Sequence, residues 1–188
     1  MANRRNPELT RAALLDAAER AFAGVGYFAT DTNRIARAAG FAPGTFYRYF
    51  ADKTAIFLAV YERLVARAWD EIAARSARTR SPAGRIRVGL DVMLSQHLDH
   101  RALRAALRTL TLEGALAADA RRALRAQHMA RLSRALGLKP NRNAAALLAA
   151  VLLFEGFADA LADGELAADA PEARAVRSDI ESRLIALT

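Results

Sequence analysis

Residues 30–50 read T-D-T-N-R-I-A-R-A-A-G-F-A-P-G-T-F-Y-R-Y-F, two short helical patterns joined at Gly40. In the first, Thr30 is placed to cap, Ile35, Ala36 and Ala39 recur at helical spacing, and Gly40 stands where a helix ends in left-handed backbone. Gly40, Phe41 and Ala42 make the turn. Pro43 opens the second pattern at the first helical position, where its missing N–H costs nothing. Phe46 and Phe50 stack four apart on the inner face, which leaves Thr45, Tyr47, Arg48 and Tyr49 for other surfaces. Two helices so spaced make a helix-turn-helix, in which the second offers its N-terminal residues to base edges and the first crosses the phosphate backbone.

The flanks extend the same pattern. Asn6, Pro7 and Glu8 read as cap, first position and acidic first turn of a helix to about Gly24, with Leu15, Ala18 and Phe22 inward. Asp52 caps a long helix on which Phe57, Val60, Leu64, Ala68 and Ile72 form one stripe and Tyr61, Val65 and Trp69 a second. Two apolar stripes call for two neighbours. At ~1.5 Å per residue that helix is about 35 to 40 Å long, enough to join a reading head to a separate body. Polar residues 78–80 make a linker, Ser81 and Pro82 cap and open the next helix, and further helices are expected over 82–98, 101–116, 119–136, 143–162 and 171–187. No stretch alternates as a strand does. The expected fold is therefore all-α, with about nine helices. A three-helix helix-turn-helix domain occupies 1–53, a connecting helix and linker 54–80, and a second helical domain 81–188.

Composition narrows the function. There is no cysteine, and the three histidines are scattered, so no disulfide framework, metal site or cofactor is expected. No signal peptide opens the chain, and the longest apolar run, 144–154, is too short to cross a bilayer. A cytoplasmic, nucleoid-associated protein without a membrane partner is expected. The formal charge of +8 favours a polyanionic partner. Its distribution is uneven: residues 1–53 carry eight basic against five acidic groups, 54–139 sixteen against seven, and 140–188 four against eight. The excess sits in the middle, either on helix faces that are solvated or paired with the acidic C-terminal segment, or as groups that meet an acidic ligand or further DNA.

The stretch from Leu14-Leu15-Asp16-Ala17-Ala18 through Ala21-Phe22, Gly26-Tyr27, Thr30, Ile35-Ala36 and Ala39-Gly40 to Pro43-Gly44-Thr45-Phe46-Tyr47, Tyr49-Phe50 and Asp52-Lys53 resembles the DNA-binding domain of the tetracycline-repressor-like (TetR) family. About a quarter of the chain carries the resemblance. Two residues depart from it: where the family often has Val and Ser, this chain has Phe41 and Ala42. The lost capping hydroxyl weakens the helix start by roughly 1 kcal/mol. The resemblance implies that Tyr47, Thr30 and Lys53 hold phosphates and that Asn33 reads a base, an amide suiting adenine N6 and N7.

The residues add their own candidates. Pro43, Gly44 and Thr45 stand at the leading end of the second helix, where glycine admits the backbone and threonine meets a base, and Arg48 lies between Tyr47 and Tyr49. For Tyr49, packing and phosphate contact are both open. Arg4 and Arg5 read either as a minor-groove arm or as a charged terminus.

In the body, Ile86, Leu90, Met93 and His97 follow one helical stripe, so His97 continues an apolar face. A core histidine and a ligand contact are the two readings. Trp69, Met93, His97, Glu113, Met129, Phe154 and Phe157 are the groups available to line a ligand site. Helix 143–162 is apolar around most of its girth, and Val176, Ile180, Leu184 and Leu187 form an amphipathic stripe on the last helix. Paired with a second copy, these helices make a four-helix interface about a two-fold axis. One short recognition helix reads few bases, which favours a dimer on palindromic double-stranded DNA.

The expectation is a homodimeric transcriptional regulator of the repressor type, freed from its operator by a small-molecule effector. The alternative is a DNA-binding protein without such an effector, governed by a protein partner or acting on the nucleoid. An enzyme built on His97, His128 and Glu113 is not expected, because no motif links these residues and each belongs to a different helix.

Overall fold

Asn6 starts the first helix as its sequence predicts: its side-chain oxygen accepts from the Glu8 N–H at 2.9 Å, and Pro7 takes the first helical position. The computed structural model describes residues 6–138 and 143–188. Among these there are nine helices and no strand: α1 (Pro7–Gly24), α2 (Thr32–Ala38), α3 (Pro43–Phe46), α4 (Lys53–Ser76), α5 (Pro82–Asp99), α6 (Arg101–Glu113), α7 (Ala115–Ala135), α8 (Ala144–Ala162) and α9 (Pro171–Ile185). Ser81 caps α5 by accepting from Gly84 N–H at 3.0 Å, and Asp52 caps α4 through Ala55 N–H at 2.7 Å.

The helices group into two compact units that are not contiguous in sequence. The first holds the chain up to Val65 together with Ala102–Ala120, and the second holds Ala66–Arg101 with Arg121–Thr188. α6 thus belongs with the head, although its sequence reads as part of the body. Both α4 and α7 contribute residues to each unit.

In the first unit, Leu14, Ala17, Ala18 and Phe22 of α1 are buried with Ile35 and Ala36 of α2, Phe46 of α3 and Ile56, Phe57 and Val60 of α4. Phe22, Tyr27 and Phe57 form a triangle of rings with centroids 5.0–5.7 Å apart and largely edge-on, a geometry that matches positive ring edges to negative faces. Arg63 of α4 fastens α1 by pairing with Asp16 at 2.7 Å and Glu19 at 2.5 Å. Arg104 of α6 donates to the Tyr61 hydroxyl of α4 at 2.5 Å.

The second unit has its core between α5, α8 and α9, built from Ile86 and Leu90, Leu147, Ala150 and Phe157, and Ala173, Ile180 and Leu184. A smaller cluster joins Ala68 and Ile72 of α4 to Val92 of α5, with Trp69, Val88 and Met93 packed against it. Arg125 of α7 donates to both carboxylate oxygens of Glu155 of α8, from Nε at 3.2 Å and from Nη2 at 2.5 Å. A fork on a carboxylate is the strong form of this pair.

Several sequence expectations are corrected. Asp31, not Thr30, caps α2, because its carboxylate reaches Arg34 N–H at 2.7 Å from an extended backbone, while the Thr30 hydroxyl turns back to donate to Gly26 carbonyl at 2.8 Å. α3 is helical only to Phe46. Beyond it the chain tightens, Arg48 N–H bonding Thr45 and Tyr49 N–H bonding Phe46, before Phe50 N–H returns to Phe46 at 3.1 Å. The break between α6 and α7 falls at Gly114 and not at 117–118, since glycine has the lower helix propensity. α8 runs on past the 144–154 apolar segment to Ala162 and is, by length and composition, apolar enough to cross a membrane. One of its faces lies in the second unit's core.

Candidate DNA-reading head and body site

The α2 to α3 connection is built by backbone hydrogen bonds. Gly40, at φ +79°, places its N–H on Arg37 carbonyl at 2.9 Å and that of Phe41 on Ala36 carbonyl at 2.9 Å. This double closure satisfies the last carbonyls of α2 and needs a residue that tolerates left-handed backbone. Ala42 then precedes α3 in extended conformation and offers no side-chain cap, as the sequence leads one to expect. Phe46 and Phe50 are buried, their ring centroids 5.8 Å apart, and anchor the second element from below.

With the core side fixed, Asn33, Gly44, Tyr47 and Arg48 are exposed, while Pro43, Thr45 and Tyr49 are half-buried. Tyr47 is 59% exposed and shares a 2.9 Å hydrogen bond between its hydroxyl and that of Thr32, at the start of α2. Thr32 was not singled out by its sequence. Only the folded turn brings it to Tyr47. Arg34 and Arg37 of α2 are also exposed and were not among the sequence candidates.

Two candidates are used differently from expectation. Thr30 is 2% exposed and its hydroxyl is committed to Gly26, so that hydroxyl points inward and is not on the surface to meet phosphate. Lys53 is half-buried, with its ammonium donating to Tyr27 carbonyl at 3.0 Å and Thr30 carbonyl at 2.9 Å. Arg4 and Arg5 lie outside the described residues.

Of the body candidates, six fall in the second unit and one does not. His97 is 6% exposed, donates from Nδ1 to Met93 carbonyl at 3.2 Å, and stands edge-on to Phe154 with ring centroids 5.3 Å apart. Trp69 lies 5.1 Å from the ring of His128, and its indole nitrogen is buried without a hydrogen-bond partner among the described residues. Met129 packs against the main core and Phe157 lies in it. Glu113 is exposed and belongs to the first unit, at the end of α6. Among the described residues, no group of three or more His, Asp or Glu side chains is placed to hold a metal ion.

These elements define a two-unit all-α protein carrying a helix-turn-helix. Residues 14–60 match the model of bacterial regulatory proteins of the tetR family. An uncharacterized HTH-type transcriptional regulator of Mycobacterium tuberculosis is 37% identical over 101 residues, 54% of this chain and 50% of that protein, so the match spans about half the length of this relative. Along nearly the whole chain, the fold is similar to that of a TetR transcriptional regulator from Rhodococcus sp. RHA1, with 25% identity, a TM-score of 0.70 and 96% of each chain covered. A Thermus thermophilus FadR, a TetR family repressor solved in complex with lauroyl-CoA, shares the fold at 21% identity and a TM-score of 0.68, covering 94% of this chain and 92% of its own. Residues 14–60 thus carry the DNA-binding domain of tetR-type bacterial regulatory proteins, and the chain shares the fold of TetR transcriptional regulators along nearly its whole length.

Proposed function

We propose that the protein is a homodimeric, cytoplasmic regulator that binds palindromic double-stranded DNA through α2 and α3 and represses transcription until a small-molecule effector releases it. The observation that carries this reading is the exposed group Asn33, Gly44, Tyr47 and Arg48 on a helix-turn-helix whose opposite side is fully packed. An amide and a guanidinium beside a bare backbone are the groups that read base edges, and hydroxyls and cations hold phosphate.

Dimerisation is supported by α8. Its inner face packs on α5 and α9, while Ala145, Leu148, Ala149, Leu152 and Gly156 form an exposed stripe at helical spacing. Leu148 and Leu152 are 36% and 46% exposed. Small residues allow close approach of a second copy, and a two-fold pairing sets two heads on one face of DNA about 34–36 Å apart or a multiple of it.

The effector reading rests on Trp69, Met93, His97 and Phe154, a largely apolar set with a buried indole N–H that has no acceptor among the described residues. Burying such a donor unpaired costs about 1–3 kcal/mol, which a ligand oxygen would offset. An effector that prefers one spacing of the two heads weakens DNA binding, and DNA weakens effector binding by the same factor.

Selection of bound fragments from the source genome tests the DNA reading, and failure to enrich any palindrome would overturn it. Lauroyl-CoA, bound by the Thermus FadR, is the first effector to try. Trp69 is the only tryptophan, so its fluorescence reports binding directly.

A further inference from the structure

Thr32 and Tyr47 are 15 residues apart, yet their hydroxyls meet at 2.9 Å on the exposed side of the helix-turn-helix. The Tyr47 ring is held at its base by an edge-on contact with Phe46, centroids 5.3 Å apart, and at its tip by Thr32. Thr32 is the first residue of α2, and the cap of that helix is already supplied by Asp31. Its hydroxyl is therefore not needed to start the helix.

Two hydroxyls that share one hydrogen bond consume one of their two protons between them. Whichever oxygen donates inside the pair, the other keeps its O–H, so the pair offers one outward donor and no charge. A donor of that kind fits an unesterified oxygen of a phosphodiester, and its neutrality means that binding through it releases no counterion of its own.

We propose that Thr32 is a positioning residue: it fixes the Tyr47 phenol and, with it, forms a two-hydroxyl clamp for one backbone phosphate of the DNA. The proposal rests on the DNA-binding reading above and names the part of the DNA that this pair takes. Asn33, Gly44 and Arg48 remain for other contacts, and the cations Arg34, Arg37 and Arg48 account for the salt dependence.

The test uses the full-length protein and a genomic duplex that the wild type binds; if the wild type binds none, it is the DNA reading that fails. On that duplex, Thr32→Val and Tyr47→Phe should each weaken affinity about 3- to 10-fold, the range of one hydrogen bond. The double variant should be no weaker than about the worse single one. Thr32→Ser should restore most of the loss, because it returns the hydroxyl. Plots of log affinity against log salt should stay parallel across all variants, and thermal melting should be unchanged. Additive losses in the double variant, no loss in Thr32→Val, a changed salt slope, or a loss explained by lower melting temperature would each overturn the clamp.

Discussion

Lys53 reaches from the first turn of α4 to Tyr27, donating to its carbonyl at 3.0 Å while the ammonium rests 4.2 Å from the centre of the same residue's ring. A second donation to Thr30 carbonyl at 2.9 Å, and the 2.9 Å bond between the Tyr27 and Thr54 hydroxyls, tie the α1–α2 loop to α4. One cation thus holds two loop carbonyls that no helix satisfies. Replacing Lys53 by Met keeps the stem and removes the donors. We expect a loss of about 2 kcal/mol, the usual worth of a hydrogen bond to a charged group, read by urea unfolding. An unchanged midpoint would mean that these two donations contribute nothing to the stability of the head.

The capping of α2 and α3 gives a paired prediction. Asp31→Ala removes the side-chain cap of α2 and should cost about 1 kcal/mol, whereas Asp31→Asn should cost little. Ala42→Ser supplies α3 with the oxygen it lacks and should add up to ~1 kcal/mol, because Ala42 already has the extended backbone of a cap. Chemical denaturation of the three variants decides between these outcomes.

Leu152 faces outward from α8 in the single chain. Leu152→Glu should leave the helical circular dichroism spectrum intact and shift the protein to monomer in sedimentation. Affinity for a palindromic duplex should then fall by at least tenfold, since one head remains. Retention of the dimer would move the interface off this stripe.

Arg63 lies between Asp16 and Glu19 with a side chain 21% exposed. Truncating it to Ala leaves two like charges one turn apart on α1 and is expected to cost about 1–2 kcal/mol, more than an open surface pair and less than a fully buried one. The cost should shrink with added salt in thermal melts, as screening relieves the carboxylate repulsion.

The turn itself was legible in sequence. Gly40 needs left-handed backbone, Pro43 needs a first helical position, and Phe46 and Phe50 need a core, so these local demands agree with one another and with the fold. Asp52 and Ser81 caps, and the five-residue stripe from Phe57 to Ile72, were equally readable because their partners are local or their period is long. Thr30 and Lys53 were not: each polar group had several acceptors in reach along the chain, and the choice fell to carbonyls freed by the α1–α2 loop.

What sequence determined by itself was the class of each helix, most of the caps and the reading head, since helical period and capping act over four residues. Tertiary structure alone decided that α6 joins the head and leaves Glu113 exposed, that Thr32 meets Tyr47, and that one face of α8 is exposed. Those outcomes depend on which buried donors and apolar faces find partners across tens of residues, and only the packed chain settles that competition.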